Sequence, residues 1–181
     1  NDILDKFFRS GSYSKSRVRK TITPSMDIQV ASNFERLLHD LYSQNGENVK
    51  DVMLSFKKKQ YLKIEKNKHL KAKKIFSSYS ISEKETISTI KKVYYEKSII
   101  LDPHSAIGVS AGINFLKNNK NSHVITLATA HPAKFSEAVK KAIGIDPQPP
   151  KRLARISELE ESYDIFDKNF DKIRDFILLK S

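Results

Sequence analysis

Two groups of polar residues carry side chains that could do chemistry, and each group follows a short apolar stretch. Asp102 and His104 form the first group, and Thr129 and His131 form the second, with Ala130 between them. A carboxylate, two imidazoles and a hydroxyl could bind a polar ligand, orient a cofactor or move a proton. Each could equally cap the helix predicted after it, because these polar groups often accept hydrogen bonds at helix starts. Both interpretations stay open for His104, His131 and Thr129.

The composition and motifs of the chain disfavour several familiar types of functional site. The chain has no cysteine, which excludes disulfides and thiolate metal sites. Its five histidines do not pair on a helical turn, so no metal site is predicted. A Ser-His-acid triad is not excluded by composition, but no G-x-S-x-G elbow is present. We therefore interpret Ser105 as a polar residue at a helix start. The five glycines are scattered, which disfavours a phosphate-binding glycine loop.

The second polar group lies at a predicted joint between a strand and a helix. Val124, Ile125 and Leu127 predict a short strand buried on both faces. Pro132 suits the first helical turn, and Gly144 suits the end of the helix. The apolar residues between them recur with helical spacing: Phe135, Ala138, Val139, Ala142 and Ile143.

The first polar group lies at a similar joint. Residues 99–101 predict a short buried strand, and Asp102-Pro103 predicts a helix start, with the helix continuing to about residue 116. Gly108 and Gly112 would leave a flat side on that helix. Strands that alternate with helices predict a parallel sheet with right-handed crossovers. Both polar groups would then meet one ligand at the same sheet edge.

The remaining segments supply a helix-rich scaffold. Apolar periodicity predicts helices at 2–8, 32–42, 49–56 and 82–97, and a strand at 18–22. Two capping boxes are predicted, Ser32 with Glu35 and Ser82 with Glu85. Three prolines make 145–156 a predicted linker, followed by terminal helices over 157–181.

Positive charge is concentrated between Lys57 and Lys74 in a chain of net charge +12. Such a run often forms a solvated face, and lysine outnumbers the arginine that base recognition favours. We therefore predict a Lys-rich helical surface insertion over 57–80. The alternative is a non-catalytic basic α/β module that binds nucleic acid through this run.

Length and composition favour one domain away from membranes. A chain of 181 residues is about one domain by length. No apolar run approaches the roughly 20 residues of a membrane span, and the first residues lack a signal-peptide pattern. Together with the absence of cysteine, this predicts a cytoplasmic protein.

Three blocks of sequence resemble the carboxyl-terminal half of threonine synthase. They are TITPSMDIQVASNFERLL (21–38), ILDPHSAIGV (100–109) and LATAHPAKFSEAV (127–139), and they occur in the family's order. The resemblance implies a parallel-sheet, three-layer fragment of a fold-type-II pyridoxal-phosphate enzyme. It also implies conversion of O-phospho-L-homoserine and water to L-threonine and phosphate.

The resemblance implies site residues as well. It places the partner of the cofactor's ring nitrogen at Thr129, and it leaves Asp102, His104, Ala130 and His131 as expected lining of the ring or substrate. The family's Schiff-base lysine and phosphate loop precede the segment that begins here, and Lys134 is not that lysine. The chain is therefore expected to need the missing amino-terminal part as its partner and to be inactive alone.

Overall fold

The part of the chain that the structure describes, residues 1–180, is mainly helical in the computed structural model. Ser181, the last residue of the predicted terminal region, lies outside the described residues. The chain divides into two compact units, Asn1–Pro149 and Pro150–Ser181. The first unit contains α1 (Ile3–Ser10), β1 (Ser12–Ser14), α2 (Phe34–Leu41), α3 (Gly46–Lys59), β2 (Tyr61–Lys63), α4 (Lys66–Ile75), α5 (Glu83–Lys97), α6 (Pro103–Asn118) and α7 (Ser136–Ile143).

The elements from α1 to α4 enclose an aromatic core. β1 and β2 pair antiparallel, with Tyr13 opposite Leu62. The Tyr13 ring stacks on Phe34 at 4.4 Å between ring centroids, and Phe7 meets Phe34 edge-on at 4.6 Å. The Tyr13 hydroxyl accepts a hydrogen bond from the Ala31 amide at 2.7 Å. This core therefore buries its one phenol with a partner, as a buried polar group requires.

A second, smaller core joins α5, α6 and α7. Its buried members are short or β-branched side chains: Ile90, Ala106, Val139, Ala142 and Ile143. The predicted flat side of α6 is confirmed. A Cβ at Gly108 would lie 2.9 Å from Thr126, and one at Gly112 would lie 3.0 Å from Val124. The two glycines thus let residues 124–126 pack closely on α6.

Several predicted helix boundaries are confirmed. The Ser82–Glu85 capping box starts α5, and Asp102 caps α6 with Pro103 in its first turn. Gly144 ends α7 with φ of 74°, a left-handed conformation that glycine adopts without strain. The Ser32–Glu35 capping box is wrong. The helix begins at Phe34, after Asn33, and has no side-chain cap.

The three predicted strands are not strands within residues 1–180. The segments 18–22, 99–101 and 124–127 form no strand pairing with other described residues. The described sheet is the antiparallel β1–β2 pair rather than a parallel sheet. Ile125 is 90% exposed and Leu127 is 75% exposed, contrary to the predicted burial. An apolar alternating sequence forms a strand only where a neighbouring strand satisfies its backbone. In the segment 18–22, side chains take this role, since Asp27 accepts the Thr21 amide at 2.7 Å.

The Lys-rich stretch contains β2 and α4. Leu62, Ile64 and Ala72 from this stretch are buried in the aromatic core. Its assignment over 57–80 as a surface insertion stays a prediction, as do the linker at 145–156 and the terminal helices at 157–181. The second unit, described by itself, contains short 3-10 helices at Lys151–Leu153 and Ile156–Glu158 and the helix α8 (Phe170–Lys180). Among the described residues, no helix combines the length and apolarity needed to cross a membrane.

Candidate functional site

The carboxylate of Asp102 is the centre of a buried network at the start of α6. Asp102 is 1% exposed. It accepts hydrogen bonds from the amides of His104 at 2.9 Å and Ser105 at 3.3 Å. The Asp-Pro sequence produces this geometry locally, because Asp is a strong N-cap acceptor and proline fits the first helical position.

His104 connects this carboxylate to a distant loop. Its Nε2 accepts a hydrogen bond from the Ser25 amide at 3.2 Å, and its Nδ1 lies 3.2 Å from Asp102 Oδ1. Because the Ser25 amide can only donate, the neutral ring carries its proton on Nδ1, facing Asp102. The ring also packs against Phe135, with centroids 4.4 Å apart. His104 therefore links the 3-10 turn Pro24–Met26 to the start of α6.

Ser105 extends the network to Thr129. The Ser105 hydroxyl donates to Asp102 Oδ2, and its oxygen accepts the Thr129 amide hydrogen at 3.0 Å. Ser105 is 3% exposed, so this contact lies under the surface. The two polar groups predicted to meet are thus joined through Ser105.

Thr129 is exposed, whereas Asp102, His104 and Ser105 of the network are buried. The Oγ1 of Thr129 lies 3.4 Å from Ser105 Oγ, longer than an ordinary hydroxyl hydrogen bond. The single Ser105 proton is already donated to Asp102, so Thr129 receives no proton from it. The Thr129 hydroxyl hydrogen can turn to the second lone pair of Ser105 Oγ at this long distance, or it can donate to a ligand. This donor suits an unprotonated ring nitrogen, and in this respect the site fits pyridoxal phosphate.

The remaining predicted lining residues are arranged differently. His131 Nδ1 accepts the Ala133 amide at 3.2 Å and caps the 3-10 turn Pro132–Phe135. Its capping role, one of the two open interpretations, is therefore realised. Ala130 is half-buried and has no polar side chain. The roles of Ala130 and His131 in lining a ligand stay predictions.

A cleft of about 1240 Å³ borders the loop that contains Ser25. Its walls come mainly from residues 1–29 and 78–86, together with Ile107 of α6. Burial at this cleft raises the pKa of Asp27, but hydrogen bonds from the Thr21 hydroxyl and amide lower it by more. The pKa of Asp27 therefore lies below its usual value. The cleft shares Ser25 with the network around His104.

Sequence reasoning predicted that Asp102, His104, Thr129 and His131 would meet at the edge of a parallel sheet. The structure joins the first three through hydrogen bonds without that sheet. His131 instead caps the turn Pro132–Phe135.

Sequence reasoning missed Ser105, which was interpreted only as a helix-start residue, and it missed Ser25. The position of Ser105 in the first turn after the Asp102 cap could have indicated its role. The contact from Ser25 spans 79 residues of sequence, and no spacing rule would have found it.

Comparisons with known proteins converge on one family. A family model described as "Threonine synthase, C-terminal" matches residues 105–177. The chain is 40% identical over 178 residues to threonine synthase of Pseudomonas aeruginosa, covering 98% of this chain and 38% of that protein. It is 42% identical over 159 residues to threonine synthase of Saccharomyces cerevisiae, covering 79% of this chain and 31% of that protein.

Solved structures agree with the sequence relatives. A crystal structure of threonine synthase with bound pyridoxal phosphate, from Brucella melitensis, superposes with a TM-score of 0.79 at 35% identity, covering 97% of this chain and 37% of that one. The yeast threonine synthase structure gives the same TM-score and identity and covers 99% of this chain and 41% of that one. The helix-rich α/β fold expected from the resemblance is confirmed at this level. The chain spans about two fifths of the length of these relatives.

Proposed function

We propose that this chain, which belongs to the threonine synthase family, forms one wall of a pyridoxal-phosphate cleft. The complete enzyme would convert O-phospho-L-homoserine and water to L-threonine and phosphate, in the cytoplasm. Bound pyridoxal phosphate would supply a reactive aldehyde and an electron-withdrawing ring. The lysine and the phosphate-binding loop for that cofactor are proposed to lie in the rest of the enzyme.

Thr129 is the residue of this chain proposed to contact the cofactor. Its hydroxyl would donate a hydrogen bond to the ring nitrogen. A neutral hydroxyl does not hold that nitrogen protonated as a carboxylate would, so it moderates the electron demand of the ring. The observation that carries this proposal is the exposed Thr129, whose amide is anchored through Ser105 to the buried Asp102.

The rest of the enzyme is the proposed partner of the segment 123–128. Ile125 and Leu127 are largely exposed in this chain, although their sequence is typical of a buried strand. One face of the segment packs closely on α6, where Gly108 and Gly112 leave room for it. Strands from the remaining part of the enzyme would pair with its free backbone groups and cover these side chains.

The contacts of the Lys-rich stretch do not favour the alternative function, nucleic-acid binding. The Lys-rich stretch supplies Leu62, Ile64 and Ala72 to the aromatic core, which accounts for its presence without a bound polyanion. Lys68 pairs with Glu65 at 2.7 Å and lies over the Tyr42 ring. These contacts support a solvated helix face that is anchored to the fold.

The proposal is tested by replacing Thr129 in the intact enzyme. Thr129→Ala removes the donor to the ring, and we expect a changed absorbance spectrum of the bound cofactor and a turnover lower by about tenfold or more. Thr129→Ser keeps the hydroxyl and should retain most of both properties. A Thr129→Ala enzyme with the parental spectrum and turnover would refute the assignment of Thr129.

A further inference from the structure

Ser105 carries a contact that the start of a helix does not require. Its amide already bonds the Asp102 carboxylate, as expected near an N-cap. Its hydroxyl adds a second bond to Asp102 and accepts the amide hydrogen of Thr129, 24 residues away in sequence. A serine that merely began the helix would need neither of these hydroxyl bonds.

We propose that Ser105 is a positioning residue that sets the place of Thr129 by accepting its backbone amide hydrogen. This inference rests on the proposed role of Thr129 as the partner of the cofactor's ring nitrogen. Ser105 would act through Thr129 without touching the cofactor. Its closeness to Asp102 and Thr129 together is the juxtaposition that carries the inference.

The direction of the hydrogen bonds follows from counting protons. A serine hydroxyl has one hydrogen and two lone pairs. The hydrogen goes to Asp102 Oδ2, and one lone pair accepts the Thr129 amide at 3.0 Å. Ser105 therefore has no hydrogen left for Thr129 Oγ1. Thr129 Oγ1 thus receives no hydrogen from Ser105, and its own hydrogen can turn to the second lone pair of Ser105 Oγ at 3.4 Å or to a ligand.

Burial makes this arrangement rigid. Asp102 is 1% exposed and Ser105 is 3% exposed, so solvent hardly competes for their hydrogen bonds. His104 holds the same carboxylate from its other side and is itself held by the Ser25 amide. The exposed Thr129 is thus bonded to a buried hydrogen-bond network, although it lies in a segment without regular secondary structure.

A double-mutant cycle in the intact enzyme tests this inference. We expect Ser105→Ala to change the absorbance spectrum of the bound cofactor in the same direction as Thr129→Ala and to lower kcat by about tenfold with little change in KM. In the enzyme without cofactor, the Thr129 amide should exchange with deuterium about fivefold faster, as expected for the loss of one hydrogen bond. The double variant should be no worse than Thr129→Ala alone, because Ser105 acts through that hydroxyl.

The matched control is Ser110→Ala. Ser110 is also buried in α6 but lies five residues further along the helix, so the substitution should leave spectrum, turnover and exchange near parental. If Ser105→Ala does not fold, Ser105→Cys fills the same space with a weaker hydrogen-bonding group and should give a smaller effect of the same kind.

The outcomes separate the two proposals. A Ser105→Ala enzyme with parental spectrum and exchange, or effects of Ser105→Ala and Thr129→Ala that multiply in the double variant, would overturn the positioning role alone. If Thr129→Ala has no effect on spectrum or turnover, the proposed function itself fails at this residue. In that case faster amide exchange in Ser105→Ala would still report the hydrogen bond between the two residues.

Discussion

The region from α1 to α4 encloses an aromatic core, whereas the region from α5 to α7 leaves an apolar segment open beside the candidate site. Phe7 and Tyr13 are fully buried in the first region. In the second, Ile125 is 90% exposed, although it lies between residues that pack on α6. The first region is stabilised by its own contacts. The second places functional groups at an edge that another part of the enzyme is proposed to complete.

The largest effect is expected from a charge placed on the open segment. Ile125→Asp in the intact enzyme should destabilise it by about 5 kcal/mol or more, because a buried carboxylate without a partner would replace a packed apolar side chain. Urea unfolding of the intact enzyme measures the loss.

Ile75→Asp is the matched control for that substitution. Ile75 is 72% exposed at the end of α4, outside the open segment, so the change should cost less than about 0.5 kcal/mol. Equal tolerance of both substitutions would mean that nothing covers the segment 123–128.

Removing the ring of Phe7 tests the aromatic core of the region from α1 to α4. Phe7 is 0% exposed and contacts Phe34 and Tyr13 edge-on. Phe7→Ala should lower the free energy of unfolding by about 3 to 5 kcal/mol through lost burial and a cavity. Phe170→Ala, at a residue 78% exposed, is the control and should have little effect. A loss below about 1 kcal/mol for Phe7→Ala would contradict the closed core.

The close approach between α6 and the open segment gives a smaller effect. Gly108→Ala would bring a Cβ to 2.9 Å from the Thr126 methyl group, so that the segment must shift. We expect a loss of about 1 to 3 kcal/mol from overpacking, together with weaker binding of pyridoxal phosphate. Gly46→Ala has open space around the new Cβ and should be tolerated. Thermal unfolding and cofactor titration compare the two variants.

The smallest expected effect concerns the capping box of α5. A hydrogen bond from the Ser82 side chain is the main reason that the pKa of Glu85 lies below its ordinary value of 4.5. The stability linked to this lowered pKa is present above 4.5 and is lost as the pH falls through the lower value in the folded chain.

Ser82→Ala removes the N-cap acceptor of α5 and should cost about 1 kcal/mol near neutral pH. The stability difference between this variant and the parental enzyme should narrow in acid. Ser88→Ala, at an exposed serine of α5, serves as the control. Melting temperatures at several pH values check this prediction, and a difference that widens in acid would contradict it.

Local features were determined by the sequence itself. The caps at Ser82 and Asp102, and the helix end at Gly144, were predicted correctly because they depend on hydrogen bonds and backbone angles within a few residues. The meeting of Asp102 with Thr129 was also predicted, but from the shared edge of a parallel sheet that residues 1–180 do not form. The Ser32 cap failed, because the first turn of α2 begins one residue later than that cap requires.

Long-range features were decided only by the tertiary structure. The sequence of 124–127 is apolar and β-branched, but strand pairing needs a second backbone, which residues 1–180 do not supply to that segment. The bond from Ser25 to His104 and the bond from Thr129 to Ser105 join residues 79 and 24 positions apart. No local preference encodes such a contact. Each bond exists because tertiary packing brings the amide of one segment within hydrogen-bonding distance of a side chain at the start of α6.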